Sequence, residues 1–193
     1  MEAKGKRRKD NRRDQILDAA ANCFSRAGYE GTSVRDISTA AGILPGSMYY
    51  HFASKEELLG AVHDEGLRRI KSKVTSAIAR ESDPWSRLEA ACTAHLEALH
   101  AAKEYGSVIA TEFPHRHSKK LRERMIAERN GYEDIFRELI DALPLRPGIS
   151  RKYLRLAVIG AMAWSLVWYS PGKDGVDEIA KQIVNLFRAA KDG

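Results

Sequence analysis

The sequence predicts an all-α protein of about nine helices, and three observations carry that prediction. Apolar residues recur at helical spacing in segment after segment, and no run alternates with the two-residue period of a half-buried strand. Glycine and proline punctuate the segment ends, at Gly28, Pro45, Pro84, Pro114 and Pro147. Ser33 with Asp36, and Ser54 with Glu57, have the spacing of capping boxes, in which a hydroxyl and a carboxylate satisfy the free amides of a starting helix.

The first helix is predicted from about Asn11 to Ala27, with Leu17, Ala20, Phe24 and Ala27 on its inner face and Gly28 as its left-handed stop. Helix two opens at Ser33 and turns Val34, Ile37 and Ala41 inward. Helix three is a short element of seven or eight residues starting at Pro45, whose missing N–H costs nothing in a first turn. Helix four starts near Lys55 and carries Leu58, Val62, Leu67, Ile70, Val74 and Ile78. A break at Ser82-Asp83-Pro84 leads to a helix with Leu88, Cys92, His95, Leu96 and Leu99 on one side. A shorter segment runs from Lys103 to Phe113, and a long amphipathic helix from about Ser118 to Leu143. The eighth helix, roughly Ser150 to Tyr169, is apolar nearly all round after Arg155, so every side of it needs cover. The ninth holds Val176, Ile179, Ala180, Ile183, Phe187 and Ala190.

At 193 residues, with 44% apolar and 30% charged, the chain has the composition of an ordinary soluble protein with one sizeable core or two small ones. Its net charge of +6 is uneven, because residues 1–13 hold seven Lys or Arg against Glu2 and Asp10. Such an arm fits a polyanion through counterion release, or serves as a solvated tail. Cys23 and Cys92 form no CxxC and fall at apolar helical positions, which suits a reducing cytoplasm. The most apolar run, Leu156–Tyr169, is 14 residues, short of the roughly 20 a bilayer requires, and no apolar stretch follows the basic start as in a signal peptide; no membrane association is expected.

The stretch Ala41–Leu58, AGILPGSMYYHFASKEEL, reads as turn, short helix, turn, long helix. The short helix carries small and aromatic polar side chains and no acid, as an element laid against a polyanion would. With the basic lead-in, Phe24 and Gly28, and Gly31-Thr32-Ser33-Val34-Arg35-Asp36-Ile37, it resembles the N-terminal helix-turn-helix of TetR-type transcriptional regulators. That resemblance implies a flexible basic arm (1–10), a DNA-binding domain (11–57) and an effector-binding and dimerisation domain (58–193). It implies a homodimer on a palindromic operator in double-stranded DNA. Tyr49 and His51 match phosphate-clamping positions, Phe52 a buried anchor, and Lys55 a phosphate contact. Ser33 and Arg35 would touch backbone or a base edge, Gly46 and Ser47 allow close approach to the groove floor, and Tyr50 offers a further hydroxyl. Leu44 departs from the resemblance, standing where a Ser or Thr cap is more usual.

The C-terminal part offers candidate effector contacts in Leu96, Leu99, Ile109, Phe113, Met125, Tyr132, Phe136, Met162, Trp164 and Trp168, a set that also reads as plain core. Arg124 and Arg129, in a basic run starting at Arg116, would suit a phosphate-bearing apolar acid, or form a solvated face paired with Glu123 and Glu128. The run from Gly160 through Trp164, Trp168 and Pro171 to Ala180 is similar to TetR-type regulators of fatty-acid and steroid catabolism. That similarity implies release by an acyl-CoA thioester, the alternative being a xenobiotic or other apolar molecule. The two C-terminal helices suggest a four-helix dimer interface through Leu156, Ile159, Val167, Ile179, Ile183 and Phe187. His115 and His117 lack carboxylate or thiolate partners, so no metal is expected, and no cofactor. No Walker loop, GxSxG elbow, HExxH or dinucleotide fingerprint appears, which weighs against an enzyme.

Overall fold

A computed structural model describes residues 2–111, 116–172 and 174–189, with side chains described from Asn11 to Arg188 outside those gaps. Among the described residues there are nine α-helices and no strand: α1 (Glu2–Ala27), α2 (Val34–Ala40), α3 (Pro45–Met48), α4 (Lys55–Ile78), α5 (Pro84–Ala101), α6 (Lys103–Thr111), α7 (Lys119–Asp141), α8 (Arg151–Trp168) and α9 (Val176–Ala189). The ends follow the local chemistry. Gly28 takes φ +70° after α1, and its amide reaches the Phe24 carbonyl at 2.9 Å. Ser33 and Asp36 form the reciprocal capping box at α2. The second box is displaced by one residue: Glu57 N–H donates to Ser54 Oγ at 3.0 Å, while the Glu57 carboxylate accepts from Ala53 N–H at 2.7 Å. Asp83 caps α5 by accepting from Ser86 N–H.

Two boundaries differ from the sequence expectation. Helical backbone begins at Glu2 rather than Asn11, through a run of Lys and Arg that are good helix formers. Helix three is four residues rather than seven or eight. Past Met48 the coil tightens to i→i+3 bonds, Tyr50 N–H to the Ser47 carbonyl and His51 N–H to Met48, before Phe52 N–H returns to Met48 at 3.0 Å.

The chain forms two compact units. The first comprises Met1–Gly66 and Glu104–Ala127, so α6 and the start of α7 complete the N-terminal head. Its core includes Ile16, Leu17, Phe24, Ile37, Met48, Phe52, Leu58, Tyr105 and Leu121. Tyr105 donates its hydroxyl to Asp18 at 2.7 Å, and Ser118 N–H donates to Glu56 at 2.9 Å. Burial works to raise the Asp64 pKa, and contacts from His63 and Arg124 outweigh it, leaving the carboxyl below its ordinary range. The second unit comprises Leu67–Lys103 and Glu128–Gly193. There α5 packs against α8 and α9 around Leu88, Cys92, Leu96, Phe136, Leu143, Val158 and Met162.

Helical glycines set packing tolerance. A Cβ at Gly66 would lie 2.8 Å from Ile109 Cδ1 and 3.2 Å from Tyr105 Cβ, whereas one at Gly131 meets nothing within 4 Å. Gly66→Leu is expected to destabilise by about 1–3 kcal/mol through overpacking. Gly131→Ala should stabilise by up to about 1 kcal/mol through helix propensity. Thermal denaturation of the two variants checks the opposite signs.

Candidate DNA-binding site and second-unit core

The surface formed by α2, the following turn and α3 is built by backbone bonds. Gly42 takes φ +64° in the turn, and Ile43 N–H donates to the Ser38 carbonyl at 2.9 Å. This turn presents Leu44, Pro45 and Gly46 to solvent, with Tyr49 (55% exposed) and Tyr50 (86%) behind them. Met48 and Phe52 are buried, so this short element has one face in the core and an outward face without acids. A groove of about 350 Å³ is lined by Arg12, Gly42, Ile43, Leu44, Ser47, Tyr50 and His51. Arg35 is exposed on α2.

Two expected contacts are engaged inside the protein. Ser33 donates its hydroxyl to Asp36 at 2.6 Å, and the bonds from Ser33 hold the Asp36 carboxyl below its ordinary range. Lys55 Nζ donates to the carbonyls of Tyr29 and Thr32, each at 2.9 Å, and lies 4.1 Å from the Tyr29 ring centroid. Tyr29 also packs against Phe24 and takes His117 edge-on at 5.1 Å. Thr32 is buried, its hydroxyl donating to the Gly28 carbonyl at 2.8 Å. Lys55 therefore ties the turn between α1 and α2 to the start of α4.

The candidate effector residues divide between the units. Met125 is buried in the first, where Ile109 is half-buried. Arg124 there donates through Nε (2.8 Å) and Nη2 (2.5 Å) to Asp64. Leu96, Leu99, Tyr132, Phe136 and Met162 are buried in the second unit. Arg129 pairs with Glu133 at 3.6 Å, and Arg155 donates to the same carboxylate. Both expected phosphate arginines thus have acidic partners. Phe113 and His115 lie outside the described residues.

Trp164 (63% exposed) and Trp168 (52%) are not brought to this buried set. They line an open groove of about 330 Å³ with Ala161, Ile179, Ile183 and Leu186. Leu156 and Val167 are exposed on α8, Ile159, Ile179, Ile183 and Phe187 half-buried. Only Leu154, Val158, Met162 and Ser165 of α8 are buried, so the helix that is apolar all round in sequence is covered on one side.

Polar groups enter the second-unit core. His95 Nδ1 and the Tyr132 hydroxyl are 2.5 Å apart, beside Phe136. Burial, with a smaller effect from His100, pushes the His95 pKa down to about 4, and burial raises that of Tyr132, so both are neutral near pH 7. Burial likewise pushes the Cys92 thiol up to about 12, which makes it an inert packing group. Ser165 donates to the Met162 carbonyl at 2.6 Å, which leaves His100 Nε2 as donor to Ser165 Oγ at 2.9 Å. Among the described residues no cluster of metal-ligating side chains occurs, and no helix is long and apolar enough to cross a membrane.

Residues 16–62 match the bacterial regulatory proteins of the tetR family, and residues 81–190 match the tetracyclin repressor-like C-terminal domain. The chain belongs to the TetR family. It is 32% identical over 185 residues to the HTH-type transcriptional repressor KstR2 of Rhodococcus jostii, covering 92% of this chain and 90% of that one. The TetR-family regulator PfmR from Thermus thermophilus superposes with TM-score 0.80 at 26% identity, over 91% of this chain and 94% of PfmR. AibR, solved in complex with isovaleryl coenzyme A and operator DNA, has the same fold, with TM-score 0.81 at 24% identity over 91% and 97% of the two chains. Membership makes this chain a transcriptional regulator that binds operator DNA through its helix-turn-helix, and the enzyme reading falls.

Two features of this TetR regulator escape sequence reasoning. Arg12 counts in the sequence only as one charge of a basic arm, yet it lines the groove at α3, while Arg13 lies over the Phe52 ring at 5.1 Å. The Tyr29 cluster draws in Lys55, 26 residues away, and His117, farther still, and no spacing signals it.

Lys55→Met is expected to lower stability by about 2 kcal/mol, the loss of charge-assisted bonds to two carbonyls. A lysine serving only phosphate would leave the denaturation midpoint unchanged. The depressed His95 pKa also has a linkage consequence. Between about pH 6.5 and 4 the unfolded chain binds a proton that the folded one does not, so this contribution is full above pH 6.5 and is lost as pH falls toward 4. The expected loss reaches about 3 kcal/mol. His95→Gln, which retains a hydrogen-bonding side chain, should show a shallower acid slope in denaturation across that window.

Proposed function

We propose that this TetR regulator is a repressor that binds a palindromic operator as a homodimer and is released by an apolar effector, an acyl-CoA thioester. The observation that carries the DNA half is the outward face of α3, where small and aromatic groups stand clear of any acid next to Arg12. In this reading Tyr49, Tyr50 and His51 serve phosphates or base edges, Gly46 and Ser47 allow close approach, and Arg35 adds a contact from α2. Ser33 and Lys55 act by fixing the head, since their donors are engaged by Asp36 and by the Tyr29 and Thr32 carbonyls. The unevenly basic N-terminal segment supports affinity for the duplex. A protein acting on an operator works where the DNA is, in the cytoplasm.

The homodimer rests on the exposed face of α8 and α9, where Trp164, Val167, Trp168 and Leu186 would be uncovered in a monomer. A palindromic operator would require the two heads of such a dimer to meet half-sites about one DNA turn, ~34–36 Å, apart. The effector half rests on the resemblance in α8 and α9, on the relative named a repressor, and on AibR, whose complex holds isovaleryl coenzyme A. Leu96, Leu99, Tyr132, Phe136 and Met162 supply the apolar surroundings, and neutral His95 and Tyr132 the polar ones. Arg124 and Arg129 would reach phosphates only by leaving Asp64 and Glu133. That ion pairing favours the second reading, an apolar effector without phosphates.

Release is a population shift. Moving the dimer from almost wholly bound to almost wholly released requires roughly 5.5 kcal/mol of preference for the second state. At about 25 cal/mol per Å² this is ~220 Å² of additional apolar burial, within reach of a long acyl chain. Because α4 contributes residues to both compact units, a ligand that favours a displaced α4 would alter the heads.

Anisotropy of labelled DNA from upstream of the gene, titrated at two salt concentrations with and without a panel of acyl-CoA thioesters, tests both halves. Tight, salt-sensitive binding released by one thioester is the expected result. Binding indifferent to every thioester would remove the CoA reading and leave the regulator, and no binding even at low salt would count against the operator reading. Val167→Glu is expected to yield monomers in sedimentation and to weaken operator binding, with the helical spectrum retained.

A further inference from the structure

We propose that Leu44 is a specificity-determining residue that reads the C5-methyl group of a thymine in each operator half-site. This inference rests on the operator-binding reading above. Leu44 is 76% exposed. A lone exposed leucine is ordinary, and the argument comes from where this one stands. It occupies the cap position of α3 with φ −73° and ψ 143°, and its side chain makes no capping bond. Its carbonyl is engaged instead, accepting from Ser47 N–H at 2.9 Å. The position therefore forgoes the hydroxyl that a Ser or Thr would supply to the first turn, and holds an isobutyl group in its place.

The surroundings define what that group can read. Pro45 has no N–H, and Gly46 has no side chain and open space within 4 Å of a notional Cβ. Leu44-Pro45-Gly46 is thus a ridge without a side-chain hydrogen-bonding atom. Of the three, Leu44 lines the same groove as Arg12, Ser47, Tyr50 and His51, which can address phosphates and polar base edges. The main chain beneath is fixed on its inner side by the Ile43 N–H bond to the Ser38 carbonyl and by buried Met48. The leucine is therefore presented by a defined backbone, continuous with the DNA-binding surface. In the major groove the base edges offer donors and acceptors, and the thymine methyl is the apolar element among them. An apolar side chain held at this surface gains from a thymine and from no other base. Each half-site is accordingly expected to carry an A·T pair at that position, with its thymine methyl against Leu44.

The test uses duplexes that the full-length protein selects from a random library. In the strongest of these, each thymine is replaced in turn by deoxyuridine, which removes the methyl and keeps every hydrogen bond. Wild-type affinity is expected to fall about fourfold for one thymine in each half-site, the equivalent of a buried methyl at about 0.8 kcal/mol. Leu44→Ser, which restores a cap and so preserves the fold, should bind the thymine and deoxyuridine duplexes equally there. Leu44→Ala should do the same, with folding checked by its denaturation midpoint. Wild-type indifference to every methyl, or full methyl dependence in Leu44→Ser, would overturn the assignment while leaving operator binding intact. Selection of no duplex at all would instead remove the operator reading, and the assignment with it.

Discussion

The head depends on one ammonium group. Lys55 Nζ donates to the Tyr29 and Thr32 carbonyls, which a turn between two helices leaves without intrahelical partners, and it faces the Tyr29 ring. Fixing that turn fixes Ser33, and Ser33 with Asp36 sets the start of α2. The pitch of α2 then decides where the turn at Gly42 releases Leu44 and α3. In the proposed reading, the outward face of α3 is thus positioned by a residue that need not touch DNA. In that reading, loss of this tie would be felt at every base position alike, whereas changes on the exposed ridge would alter discrimination.

The second unit handles polarity in a different way. His95 bonds Tyr132 and His100 bonds Ser165, which satisfies these groups, while burial keeps His95 and Tyr132 uncharged near pH 7. A neutral polar pair in an apolar core can pair with a neutral acceptor or donor on a ligand without the cost of burying an ion. The same neutrality keeps the interior insensitive to small pH changes around 7. Ionic pairing in this unit occurs elsewhere, where Glu133 takes both Arg129 and Arg155, and Arg151 faces Asp141.

Much of the fold was legible because its helix ends carry local signals. Ser33-x-x-Asp36, Asp83-Pro84 and Gly28 each act within a few residues, and the structure uses them where the sequence places them, while the Ser54-x-x-Glu57 box closes one residue early, on Ala53 N–H. The length of α3 was not legible, since a switch from i→i+4 to i→i+3 bonding leaves no mark in composition. Nor were the fates of Lys55, Arg124 and Arg129, whose partners Tyr29, Asp64 and Glu133 are set by packing. The side of α8 on which Trp164 and Trp168 stand was not legible for another reason. A helix that is apolar on all sides has no periodic contrast, so the pattern could not say which flank the core would take.

That flank gives the molecule an optical asymmetry. Of its three tryptophans, Trp85 is buried in the second unit, while Trp164 and Trp168 stand in water on α8. An indole in water emits at longer wavelength and is open to a dissolved quencher, and a covered one is neither. Unlabelled protein therefore carries two reporters on the face that a second copy would cover and one in the interior. Their emission would distinguish burial of α8 from rearrangement of the core without any chemical modification.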